Sequence, residues 1–263
     1  MSTHRPPANR PTDIYFFATC VIDQFFPQAG LDAITLLEKE GIRVHFPEAQ
    51  TCCGQPAYTS GFPDEARKVA AQQLDLFPND WPVIVPSGSC GGMMKHHYPT
   101  LFADDAARKA KAERLAGRIY ELTQFLVEVL DLEVPQQGKD TTVVLHTSCS
   151  ARREMGVHLT GRQLLDRLPG VRIAQQDHES ECCGFGGTFS IKQPEISGAM
   201  VEDKVNALKA TGAERVVSAD CGCLLNILGH AAWRDEQEGR KTPSLPGEHI
   251  ATFLLHRLHP EAK

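Results

Sequence analysis

Two adjacent cysteines followed by a glycine occur twice in this 263-residue chain, at Cys52-Cys53-Gly54 and at Cys182-Cys183-Gly184. The two doublets lie 130 residues apart, about half the chain length, which poses the question of whether the rest of the chain repeats with them. It does. The run "DIYFFATC" ends at Cys20, and "TVVLHTSC" ends 129 residues later at Cys149. Both are short β-branched and aromatic runs that read as buried strands finishing on a cysteine. Each is followed by a helical stretch, "LDAITLLEKEG" or "GRQLLDRLPG", then by a second strand candidate, "IRVHFPE" or "VRIAQQD", and then by the double cysteine. After the doublets, Pro63-Asp64 and Pro194-Glu195 put a proline and an acid where a first helical turn should be, opening "EARKVAAQQLDLF" and "ISGAMVEDKVNALKATG". A third strand candidate follows in each half, "VIVPSGSC" ending at Cys90 and "RVVSADCGC" ending at Cys221 and Cys223. Each half closes on an amphipathic signature, "YELTQFLVEVL" from Tyr120 and "EHIATFLLHRL" from Glu248, in which Thr123 and Thr252 are again 129 residues apart.

Strands alternating with helices predict an α/β fold: an internal duplication of two Rossmann-like units, each a mostly parallel sheet flanked by helices on both faces. The Pro/Gly/Gln-rich "EVPQQGKD" separates them. The expected organisation is a disordered segment over 1–12, a first unit over 13–132, a linker over 133–140 and a second unit over 141–263, each unit self-contained. The polar "RDEQEGRKTPSLPGE" reads as a surface loop before the last helix. In parallel sheets ligands collect at the carboxyl ends of the strands. The repeat therefore gathers the cysteines of each half into one patch, and two sites facing a shared cleft is the economical arrangement.

Composition narrows the chemistry. A net charge of -6 and a pI near 6.0 argue against an electrostatic nucleic-acid footprint. The opening "MSTHRPPANRPTD" is polar and Pro-rich without an apolar core, so it reads as neither signal nor anchor, and no later apolar run approaches spanning length. A cytoplasmic location without a membrane span is expected. Nine cysteines, an odd number, in a reducing compartment point to metal or redox chemistry rather than to disulfides. No G-x-G-x-x-G follows the first strand and no P-loop occurs, so a nucleotide cofactor has no support.

The candidate ligands are Cys20, Cys52, Cys53 and Cys90 in the first half, and Cys149, Cys182, Cys183 and either Cys221 or Cys223 in the second. Four thiolates suit an iron-sulfur cluster and equally a structural zinc. Zinc sites usually use pairs separated by two to four residues, so directly adjacent cysteines favour the cluster; zinc at one site stays open. Gly54 and Gly184 can turn tightly after the paired cysteines and bring their N–H groups against cluster sulfurs. His96, His97, His146 and His178 flank the cysteines and are not assigned as ligands. Arg152 and Arg153 are placed either to attract a carboxylate and balance cluster charge or as plain surface charge.

The doubled pattern of Cys, CCG and Cys resembles the CCG cysteine-rich domain family, whose members include the B subunit of heterodisulfide reductase and the iron-sulfur subunit of glycolate oxidase. The stretches "FPEAQTCCGQPAYTSG", "CCGFGGTFSIKQPEIS" and "GCLLNI" are similar to the lactate-utilisation members of that family. The likeness covers nearly the whole chain beyond the first dozen residues. It implies iron-sulfur clusters of 4Fe-4S type, one per half, in an electron-transfer subunit. Such a subunit works with other iron-sulfur subunits in a complex oxidising L-lactate to pyruvate, and is not the dehydrogenase by itself. A glycolate-type oxidase, a heterodisulfide-reductase-like complex and a zinc-stabilised binding module are the alternatives. In the heterodisulfide reductase relative each motif ends in C-x-x-C and supplies five thiolates to a non-cubane cluster. Here Met93 and Asn226 stand three residues after Cys90 and Cys223, which leaves four thiolates per half and counts against disulfide-reductase chemistry. Loop length favours Cys221, whereas the "GCLLNI" context matches Cys223 to the family ligand and leaves Cys221 as an extra ligand or resolving thiol.

Overall fold

The β-branched runs form eight short strands, in a computed structural model that describes residues 10–134 and 139–260. They are β1 (Asp13–Phe16), β2 (Arg43–His45), β3 (Val83–Val85), β4 (Ile119–Glu121), β5 (Thr141–His146), β6 (Val171–Ala174), β7 (Arg215–Ser218) and β8 (Gly247–His249). Two parallel sheets result, ordered β2-β1-β3-β4 and β6-β5-β7-β8. The duplication extends to register: Tyr15 pairs with Val83 as Val144 pairs with Val216, and Asp13 pairs with Arg43 as Thr142 pairs with Arg172. Of the expected disordered N-terminus, residues 1–9 lie outside the described residues, as do 135–138 of the expected linker.

Helices fall where the patterns put them. Pro63–Gln73 and Pro194–Ala210 both open on a proline in the first turn with acids beside it, so the missing N–H costs nothing and the acids complement the helix dipole. Pro27–Lys39 and Val157–Arg167 connect the first two strands of each sheet. Two details differ from the sequence reading. The closing signatures each begin with a three-residue strand, β4 or β8, which runs straight into a helix at Leu122 or Ile250 and so reads as part of the helical pattern. The stretch read as a loop from Arg234 is helical as far as Gln237, where the helix Cys221–Gln237 ends.

Side-chain alternation along the strands explains the layering. Ile14, Phe16 and Ile84 of the first sheet and Val143, Leu145 and Val217 of the second all enter one core. Between them lie Leu36 and Leu37, Leu164 and Leu165, and Phe253 and Leu254, from helices of both halves. The opposite sheet faces carry separate cores, with Tyr15, Phe17, Val83 and Val85 in one and Val144 and Val216 in the other. The units therefore are not self-contained: a middle layer of helices is buried against both sheets. Fully burying a side chain of this size is worth about 1.5–3 kcal/mol. Polar contacts fix the same seam, since Thr252 Oγ1 donates to Asp32 Oδ2 at 2.6 Å and the hydroxyls of Thr123 and Thr160 lie 2.6 Å apart. Among the described residues no helix is long and apolar enough to cross a membrane.

The seam also buries an acid. Glu121 Oε2 accepts from Thr123 N at 2.7 Å, Thr123 Oγ1 at 2.5 Å and Gln124 N at 3.3 Å, while Oε1 has no partner. Burial pushes its carboxyl up to about 8 against those hydrogen bonds, and the charge of Asp220 adds to the rise. The unfolded chain releases this proton near 4.5 and the folded one keeps it to about 8, so stability falls as pH rises through that window and levels off above it. Glu121→Gln should remove this dependence. In urea titrations from pH 5 to 8, the variant should gain on the wild type by up to about 1.4 kcal/mol per pH unit. Parallel profiles would show that Glu121 ionises in the folded state as it does in the unfolded one.

Candidate metal centre

Each half delivers its first cysteine at the start of a helical turn just past the central strand, Cys20 after β1 and Cys149 after β5. The doublets follow the second strand. Directly after them, Gly54 and Gly184 adopt φ of 86° and 82°, a left-handed conformation that a side chain would strain. The turn aims the N–H of Gly54 at Cys52 Sγ and that of Gly184 at Cys182 Sγ, each at 3.4 Å. A Cβ on Gly184 would lie 2.7 Å from the carbonyl oxygen of Ser197, so the close helix also requires glycine there. In both halves the glycine N–H thus meets the sulfur of the first cysteine of the doublet.

Helix position separates Cys223 from Cys221. Cys90 is the third residue of the helix Gly88–Gly92, and Cys223 is the third residue of Cys221–Gln237. The strand register that aligns Val83 with Val216 places Gly88 opposite Cys221 and Cys90 opposite Cys223. Hydrogen bonding agrees, since Cys53 meets Cys90 as Cys183 meets Cys223. Cys221 is buried on the cavity wall, and burial pushes its thiol above the ordinary value.

All nine cysteines carry free thiols, and all nine line a single cavity of about 430 Å³ at the carboxyl ends of the strands. Cys20 Sγ and Cys52 Sγ are 3.7 Å apart, far beyond the ~2.05 Å of a disulfide and close to the spacing of two thiolates on one metal. The hydrogen bond from Cys20, then one from Cys53, holds the Cys52 thiol far below its ordinary value, while the donor Cys20 is pushed up. The second half repeats this: Cys149 and then Cys183 lower Cys182, and Cys149 rises. Cys53 and Cys183, each donating to its neighbour and buried, are raised well above the ordinary value. Each set thus presents one thiolate stabilised by protonated neighbours. Such a cluster of convergent thiols suits a metal that takes the place of the shared protons.

The positions of the absent fifth thiolates have other work. Met93 is wholly buried, and Asn226 Nδ2 donates to the Cys183 carbonyl at 2.8 Å. In the first half Tyr98 Oη performs the equivalent task, donating to the Cys53 carbonyl at 2.9 Å. His97 and Arg153 line the cavity, whereas His96 Nε2 lies 3.0 Å from the Glu154 carbonyl. Arg152 pairs with Glu179 at 2.6 Å and exposed His178 with Glu181 at 2.9 Å, so neither is turned to the thiols. Two residues stand out that the motifs do not mark. Asp220 bridges the halves beneath the cavity, taking Ser87 Oγ and Ser89 Oγ on Oδ1 and Ser148 Oγ on Oδ2, each at 2.8 Å. His146, wholly buried at the end of β5, has a ring nitrogen that lies with the sulfurs of Cys183 and Cys223 within a mutual 4.8 Å. Its signals in the sequence are a polar residue inside an apolar strand and a place three residues before Cys149.

The CCG cysteine-rich domain matches twice, over residues 14–95 and 143–228, each match holding one set of cysteines. Lactate utilization protein A of Bacillus subtilis (strain 168) is 42% identical over 244 residues, covering 93% of this chain and 99% of that protein. Its counterpart in Geobacillus kaustophilus (strain HTA426) is 44% identical over 219 residues, covering 83% and 91%. Among solved structures, a hypothetical protein from Helicobacter pylori shares the fold, with a TM-score of 0.62 at 12% identity over 98% of this chain and 52% of that one. The domain match and the gathered thiols together support metal binding. By these matches the chain belongs to the CCG cysteine-rich domain family, in the branch of the lactate utilization A proteins.

Proposed function

We propose that this chain is the iron-sulfur electron-carrying subunit of a cytoplasmic, multi-subunit complex that oxidises L-lactate to pyruvate. One observation carries the reading: two equivalent sets of four thiols open into one cavity, in a family whose named relatives serve lactate utilisation. Cys20, Cys52, Cys53 and Cys90 would hold one 4Fe-4S cluster, and Cys149, Cys182, Cys183 and Cys223 the other. When bound, such clusters supply one-electron transfer at potentials set by net charge, hydrogen bonds to sulfur and exposure.

The residues around the cavity fit that task. The N–H groups of Gly54 and Gly184 point at cysteine sulfurs, where they offset negative charge and hold the doublets in place. Tyr98 and Asn226 lock the carbonyls behind the doublets, which keeps the sulfurs aimed inward. Lactate oxidation belongs to the assembled complex, with other iron-sulfur subunits as partners.

Metal analysis tests the reading. Protein purified without oxygen should contain iron and acid-labile sulfide in near-equal amounts, approaching two clusters per chain, with visible absorption that bleaches on dithionite. In the reconstituted complex L-lactate should bleach the same bands, and glycolate should do so far less. Stoichiometric zinc without sulfide in both halves would make the sites structural and overturn the proposal.

A further inference from the structure

The second half buries an imidazole where the first buries a phenyl ring. His146 is wholly buried and neither Nδ1 nor Nε2 has a hydrogen-bond partner. The strand register that sets Tyr15 against Val144 places Phe17, also wholly buried, at the corresponding point of the first half. Leaving a buried polar group unpaired carries a desolvation cost that phenylalanine avoids, and native interiors pair the great majority of such groups. The buried Lys204 amine donates to the His178 carbonyl at 2.6 Å and makes no hydrogen bond to the ring. What does converge on the imidazole is sulfur: one ring nitrogen and the Sγ atoms of Cys183 and Cys223 lie within 4.8 Å of one another. Metal bonds of about 2.3 Å to sulfur and about 2.1 Å to nitrogen let two donors of one ion sit up to about 4.4 Å apart, so shifts of a few tenths of an ångström suffice.

We propose that His146 is a fifth donor of the second centre, one ring nitrogen bonding the metal beside Cys149, Cys182, Cys183 and Cys223. The two centres are then chemically unlike, four thiolates in the first and four thiolates with one imidazole in the second. This rests on the reading that both cysteine sets hold metal. The neutral imidazole gives a lone pair to the metal and releases no proton, and its second ring nitrogen carries the hydrogen. The unpaired nitrogen, the absence of its equivalent in the first half and the nearby sulfurs are accounted for together.

The test uses the full chain carrying ¹⁵N-histidine, purified without oxygen. Metal and sulfide are assayed first, followed by X-ray absorption at the edge of each bound metal and by pulsed paramagnetic resonance on the reduced protein. The expected result is metal in both halves, the scattering pattern of a bonded imidazole, and a strongly coupled ¹⁵N. Both nitrogen signatures should vanish in His146→Phe, which installs the residue that the first half carries. The wild-type spectra stand as a test even if that variant fails to fold. Metal in both halves with no bonded imidazole, or an imidazole that persists in His146→Phe, overturns the proposal alone. A second half without metal shows in the assay itself and overturns the underlying reading as well.

Discussion

Cys182→Ser is expected to lower the metal bound per chain by about half and to leave the spectrum of the first centre in place. Cys182 is the acceptor at the middle of its set, taking hydrogen bonds from Cys149, Cys183 and the N–H of Gly184. Those bonds hold its thiol far below the ordinary value, so it is the cysteine of its set that most readily offers a thiolate. A serine hydroxyl at that place stays protonated and is a poor partner for the soft metals that thiolates select. Cys52, with its own N–H from Gly54, is untouched by the change. Stability should respond differently from metal content. Both sheets bury one face in a common core, so loss of metal from the second half should appear as one unfolding transition at lower temperature. Metal analysis with a visible spectrum checks the first expectation and calorimetry the second. Loss of all metal from a chain that keeps its circular dichroism would show that the first centre cannot form without the second.

The duplication was legible because it is written in local chemistry. Cysteines at strand ends, glycine after each doublet and proline at the start of the helices Pro63–Gln73 and Pro194–Ala210 each have a local physical cause that a sequence displays. Loop length points to Cys221 rather than Cys223 because the halves differ there: the offset is 129 residues at Tyr15 and Val144 but 133 at Val83 and Val216. Family context favoured Cys223, and helix position places it opposite Cys90. Strands β4 and β8 were hidden because each runs without a break into a helix, so their residues read as its first turn. The shared core was equally hidden. Apolar periodicity reports that Leu36 and Leu165 are buried, but not that they are buried in the same core. His146 looked like one more histidine near a cysteine until burial and the lack of a partner set it apart.

Asp220→Ala should destabilise the metal-loaded protein by roughly 3–5 kcal/mol, measured by urea titration at neutral pH. Asp220 is 2% exposed, and its two oxygens take four hydrogen bonds, three from hydroxyls at 2.8 Å and one from Ser89 N at 3.2 Å. Three of these come from the first half, through Ser87 and Ser89, and one from the second, through Ser148 beside Cys149. Register makes Ser87 the counterpart of Asp220, so the contact joins equivalent points of the two halves at the floor of the shared cavity. Alanine leaves those donors facing a void. The hydroxyls of Ser87 and Ser89, 3.1 Å apart, can recover part of the loss by bonding to one another, which keeps the estimate below the sum of four unpaired groups. Asp220→Asn separates shape from charge, because its amide keeps one acceptor oxygen and lets serine hydroxyls turn to accept from its NH2. If hydrogen-bond count governs the joint, asparagine should recover about half of the loss. Equal losses from both variants would instead assign the joint to the carboxylate charge, which the Ser89 N–H at the start of the helix Gly88–Gly92 helps to stabilise.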